Sequence, residues 1–60
     1  MFEVGSEYMI VTGSAGEENY RYGVVQKYEH PIIEFKYNER GQVTIYNVGA
    51  SSFLRAEKRS

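Results

Sequence analysis

With 60 residues, the chain has room for one small domain (1–60), and a chain of that size buries only about 60% of the surface its unfolded form exposes. It has no cysteine, no aspartate and one histidine, which excludes disulfides, thiolate metal sites and any multi-histidine centre within one chain; self-association is the staple that remains. The net charge of −1 makes no overall electrostatic case for a polyanion, and no apolar run approaches the ~20 residues that cross a bilayer.

In chain order, Phe2 to Tyr8 begins with apolar residues two apart and a glycine turn that leads into a strand. The opening lacks the basic region and apolar core of a signal peptide, and a soluble cytoplasmic protein is expected. Tyr8 to Thr12 is a β-branched and aromatic run, apolar in both parities, which predicts a first strand buried on both faces. Gly13 to Glu18 contains two glycines and no strand former, and reads as a mobile loop.

Asn19 to Tyr28 predicts a long second strand. Alternation puts Tyr20, Tyr22, Val24, Gln26 and Tyr28 on one face and Arg21, Gly23, Val25 and Lys27 on the other. Gly23 inside that strand marks a bend, a bulge or a close backbone approach, and a bend there would let the strand serve both halves of a curled sheet. Pro31 lacks an N–H and holds His30 extended, so the chain turns near Glu29-His30-Pro31.

A third strand follows over Ile32–Tyr37, with Ile33, Phe35 and Tyr37 inward. Asn38 to Gly41 is a hairpin loop with Gly41 placed for positive φ, and Gln42–Val48 is a fourth strand. Val48 to Ser52 reads as a tight turn, with a short 3₁₀ turn near 49–52. Phe53–Glu57 is a short closing strand, and Lys58-Arg59-Ser60 is expected to fray. A helix over Ser51–Lys58 is the rival reading, but eight residues at a terminus make a marginal helix.

Catalytic chemistry finds little support. His30 has no aspartate to orient it, and no glycine-flanked serine opens a helix after a strand. Glu29 and Glu34 on alternating strands read as solvated surface, and Gly13-Ser14-Ala15-Gly16 lacks the lysine and helix of a phosphate loop. The expectation is a protein that is not an enzyme and needs no cofactor or metal.

Binding chemistry has more to work with. The first 18 residues hold four glutamates and no base, and all seven basic residues follow Asn19. Tyr20, Tyr22 and Tyr28 on one face suit base stacking, with Arg21, Lys27 and Arg55 for phosphates. The competing reading puts at least two of these tyrosines in the core or an interface, where the ring buries and the hydroxyl stays wet. His30 is either a turn residue packed beside Pro31 or a ligand contact on a loop fixed by two strands.

Five short strands, a glycine-bearing second strand and a glycine-containing turn before the last strand resemble the small barrels of the Src-homology-3-like and Sm-like group, as in small bacterial or phage proteins. Gly23, Val25, Tyr28 and Glu29 match the Sm-like order of glycine, apolar residues and an acid in the following loop. Ile32-Ile33-Glu34 stands where that family carries its asparagine, and Asn47-Val48-Gly49 where it carries an arginine–glycine pair. Because those are the RNA-binding positions, the resemblance implies assembly more strongly than uridine recognition.

The fold expected is therefore all-β: a five-stranded, strongly bent antiparallel sheet closing into a small barrel. The function expected is a self-associating, non-catalytic module binding RNA or DNA through Tyr28, His30, Asn47, Lys27 and Arg55. The alternative is an adaptor that takes a peptide or partner protein on an open sheet edge.

Overall fold

The computed structural model describes residues 2–59, and all five elements in them are strands: β1 (Glu7–Ser14), β2 (Glu17–Glu29), β3 (Ile32–Tyr37), β4 (Val43–Asn47) and β5 (Phe53–Lys58). They form one antiparallel sheet in the order β4-β3-β2-β1-β5, with no helix among the described residues. Against the rival helix reading, Phe53–Lys58 is strand: a register shift against β1 leaves Leu54 without a partner, so that Phe53 and Ala56, three residues apart, both pack against the core.

The barrel expected from the sequence is not closed. Among the described residues β4 and β5 pair with β3 and β1 only, and the sheet keeps two free edges. The turn before β5 explains this: Gly13 N–H donates to Ser52 C=O (2.8 Å), steering the chain onto β1 and away from β4. That turn is two successive β-turns, Ala50 N–H to Asn47 C=O and Phe53 N–H to Ala50 C=O, in place of the expected 3₁₀ turn. Ring packing spans part of the gap, Tyr46 against Phe53 at 6.1 Å between centroids.

The expected loop at 13–18 is instead a two-residue hairpin. Ser14 pairs with Glu17, and Ala15 (φ 52°) and Gly16 (φ 82°) are both left-handed, the geometry that matches strand twist. Gly41 has the positive φ predicted for it (67°). The carboxy-terminal fraying expected at Lys58 and Arg59 is absent, since Lys58 lies in β5 and Arg59 N–H donates to Glu7 C=O (2.8 Å); Ser60 lies outside the described residues.

The core is Ile10, Val25, Ile33 and Phe35, all fully buried, with Tyr8 beside them and Phe2, Tyr28, Tyr37, Tyr46 and Phe53 packed around. Ile33, Phe35 and Tyr37 face inward as predicted. β1 is buried on both sides: Val11 is fully buried, although its parity is opposite to that of Ile10.

β2 departs from simple alternation. Val25 pairs with Phe35 and Lys27 with Glu34, so Gln26 is an extra residue, a β-bulge that reverses the strand's parity. Tyr28 consequently joins Val25 on the core side, opposite Ile33 and 5.5 Å from the Phe2 ring, and does not share a face with Tyr20 and Tyr22. Of those three tyrosines, Tyr28 alone packs against the core. Lys27 moves to the outer face, apart from the inward-facing Gly23 and Val25.

Gly23 is a close approach. A Cβ there would lie 2.2 Å from Lys36 O and 2.9 Å from Phe35 Cε2, so its hydrogen is what lets β3 lie against β2.

Candidate ligand-binding groove

β2 is longer than its partner. β3 pairs with it from Gly23 to Glu29, and Asn38 takes up the Tyr22 carbonyl, which leaves Glu17–Arg21 bound to β1 on one side and without a strand on the other. The β3–β4 loop folds over the end of this free edge. It is shaped by Tyr37 N–H to Gln42 C=O and Gly41 N–H to Tyr37 C=O (both 2.9 Å), and anchored by Asn38 N–H to Tyr22 C=O (3.0 Å). The Asn38 amide also donates to Glu7 Oε2 at 2.6 Å, tying the loop to β1.

Between loop and strand lies a cleft of about 720 Å³ lined by Tyr20, Arg21 and Tyr22 of β2 and by Tyr37, Asn38, Glu39, Arg40 and Gln42 of β3 and its loop. Arg21 Nη1 donates to its neighbour's carbonyl, Tyr20 C=O, at 3.0 Å, which covers one open acceptor of the free edge. Neither Arg21 nor Arg40 forms an ion pair among the described residues; the pairs there are Arg55–Glu57 (3.1 Å) and Lys58–Glu3 (2.5 Å).

Tyr37, which lines the cleft, also belongs to the aromatic packing around the core. Tyr37 and Tyr46 share a hydroxyl–hydroxyl hydrogen bond of 2.7 Å. Burial first, then the Tyr37 hydroxyl, raises the Tyr46 pKa well above the usual tyrosine value, with the Arg21 charge opposing. The Tyr46 hydroxyl is therefore a neutral hydrogen-bonding group at ordinary pH.

Tyr20 and Tyr22 also form part of the convex face. Arg59 stacks on the Tyr22 ring, its guanidinium carbon 4.8 Å from the centroid. The Tyr20 hydroxyl donates to Glu18 (2.7 Å), which raises its pKa, while Arg55 lies close enough to lower it. Tyr20 and Arg55 are the two register partners of Val11, and their side chains meet across β1 above it, which accounts for its burial.

The residues singled out from the sequence are split between two faces and one end of the sheet. Tyr28 OH and His30 Nδ1 share a 3.2 Å hydrogen bond, and the His30–Pro31 peptide is cis. Val48 N–H donates to Pro31 C=O (2.8 Å), and Asn47 Oδ1 accepts from Gly49 N–H (2.9 Å), so Tyr28, His30 and Asn47 come together on two adjoining turns. Lys27 faces outward opposite Glu34, and Arg55 lies on the convex face, held by Glu57.

Sequence reasoning passed over Tyr37, Arg40 and Gln42, which meet Arg21 only because the hairpin folds back; the signal available was an arginine in a loop that a glycine-permitted close approach brings onto β2. Among the described residues no three or more metal-ligating side chains cluster. No family model matches the chain, and neither a curated protein nor a solved structure matches it.

Proposed function

We propose that this chain is a non-catalytic binding module, an open variant of the Src-homology-3-like and Sm-like barrels, that takes single-stranded nucleic acid in the groove. The observation that carries this reading is that two arginines without carboxylate partners among the described residues, Arg21 and Arg40, line one cleft together with Tyr22 and Tyr37. Tyrosine rings stack bases of any sequence, and arginine's planar fork suits phosphate. The five strands and the bulged second strand support the barrel kinship. Because the chain's net charge is −1, attraction is local to the groove and weakens quickly with salt.

The test is titration of fluorescent oligouridylate, and of the matching deoxy oligonucleotide, at two salt concentrations. The expected result is salt-sensitive binding whose log–log salt slope falls by about 2 in the Arg21→Ala/Arg40→Ala double variant, one phosphate contact each. Absence of salt-sensitive binding even at low salt would sink the proposal.

The free edge of β2 from Glu17 to Arg21 favours a second reading, an extended peptide added as a strand beside β1–β2, as in an adaptor. Binding of an extended peptide with no nucleic-acid affinity would select it. Self-association belongs to the main proposal and is supported by β4, an edge strand without a charged residue whose outward Val43 and Ile45 are 51% and 57% exposed. Action in the cytoplasm is part of the same proposal.

A further inference from the structure

Tyr22 lines the groove and yet presents its ring to the convex face, where Arg59 covers it. We infer that a bound single strand does not end in the groove but passes over Tyr22 onto the convex face, where the Arg59–Tyr22 stack and then Tyr20 are further base platforms. This deepens the nucleic-acid reading and rests on it.

Three observations carry the extension. Tyr20 and Tyr22 are 44% and 42% exposed, and they are two residues apart on one face. Their spacing along the strand is about 7 Å, twice the ~3.4 Å between stacked nucleotides, so successive bases would leave each other and stack on protein. The second observation is that Arg59 is fixed at its root, since its N–H donates to Glu7 C=O (2.8 Å), so its guanidinium lies on Tyr22 as a flat, charged surface for a base or a phosphate.

The third concerns charge. Two acids close to these rings are engaged already, Glu18 by the Tyr20 hydroxyl and Glu57 by Arg55. Arg59, the cation lying on the Tyr22 ring, pairs with no carboxylate among the described residues, whereas Arg55 is held by Glu57, so beside these two rings Arg59 is the phosphate contact.

The experiment compares oligouridylates of about 4 and about 10 nucleotides, lengths that bracket short and extended single-strand sites. The intact chain is expected to bind the longer one at least about tenfold more tightly, as one added stacked base provides. Arg59→Ala is expected to remove most of that gain, lower the longer probe's salt slope by about 1 and leave the shorter probe's affinity unchanged. Arg59→Lys, which keeps the charge without the plane, should keep the slope and lose part of the gain. Arg21→Ala should weaken both probes.

If Arg59→Ala affects the longer probe no more than the shorter while Arg21→Ala weakens both, the convex-face extension is wrong and the groove stands. If neither length shows salt-sensitive binding, both fall together. Unchanged far-ultraviolet dichroism and thermal midpoint in the Arg59 variants exclude a folding artefact.

Discussion

Gly23→Ala tests how the two halves of the fold, and with them the groove, are held together. The added Cβ would lie 2.2 Å from Lys36 O, 2.9 Å from Lys36 C and 2.9 Å from Phe35 Cε2. The first two obstacles are backbone of the adjacent strand, and the third is a fully buried ring, so no rotamer change relieves the overlap. Overpacking of this kind costs about 1–3 kcal/mol or more, and replacing glycine by alanine in a strand returns only about 0.5–1 kcal/mol of chain entropy.

So close an overlap with backbone belongs at the upper end of that range, which gives a net loss of about 2 kcal/mol, against a total of about 3–9 kcal/mol for a domain of this length. At about 4–8 °C per kcal/mol, the thermal midpoint should fall by roughly 10 °C or more, with a matching shift in urea midpoint. Because the same overlap pushes β3 away from β2, Tyr37 and Arg40 move off Tyr22, and probe affinity should fall in whatever fraction remains folded. The assay is paired thermal and urea unfolding followed by dichroism. An alanine variant as stable as the parent would refute the close-approach reasoning.

Other outcomes follow from single positions. Ala15→Gly should raise stability by up to about 1 kcal/mol by urea unfolding, because Ala15 has φ 52° in the hairpin, where a Cβ is strained. Alkaline stability should carry a Tyr46 signature. Its folded pKa is raised above the unfolded value of about 10, so the folded state holds a proton that the unfolded state loses. Stability is thus full below about pH 10 and declines above it, and Tyr46→Phe should flatten that decline in urea midpoints measured across the range. Ile45→Lys should leave monomer stability within about 0.5 kcal/mol, since the side chain is outward on an edge strand, and abolish self-association in sedimentation velocity.

Much of the fold was legible in local chemistry. β3 has the predicted bounds, and Gly41 takes the positive φ assigned to it. Pro31 ends the strand pair where it should, and β1 is apolar in both parities because both its faces are covered. Less of the site was legible. Tyr28, His30 and Asn47 do converge, on two turns joined through Pro31 and Val48, but Lys27 and Arg55 are elsewhere. The groove's Arg21 and Arg40 are nineteen positions apart and belong to one site only because the β3–β4 loop is hydrogen-bonded to Tyr22 and Glu7.

By itself, then, the order of residues determined five strands, the turns at Pro31 and Gly41 and an inward set on β3, because period-two burial, glycine φ and proline's missing N–H are properties of a few neighbouring residues. Tertiary structure decided the rest. The Gln26 bulge, invisible in an unbroken alternating run, turned Tyr28 into the core and left Tyr20 and Tyr22 outside, because only pairing with β3 shows which residue has no partner. On β4, Thr44 and Tyr46 face inward and Val43 and Ile45 outward, since register with Phe35 and Ile33, and not hydrophobicity, sets the face of an edge strand. The open sheet has the same origin: one hydrogen bond from Gly13 to Ser52, between residues 39 apart, hands β5 to β1.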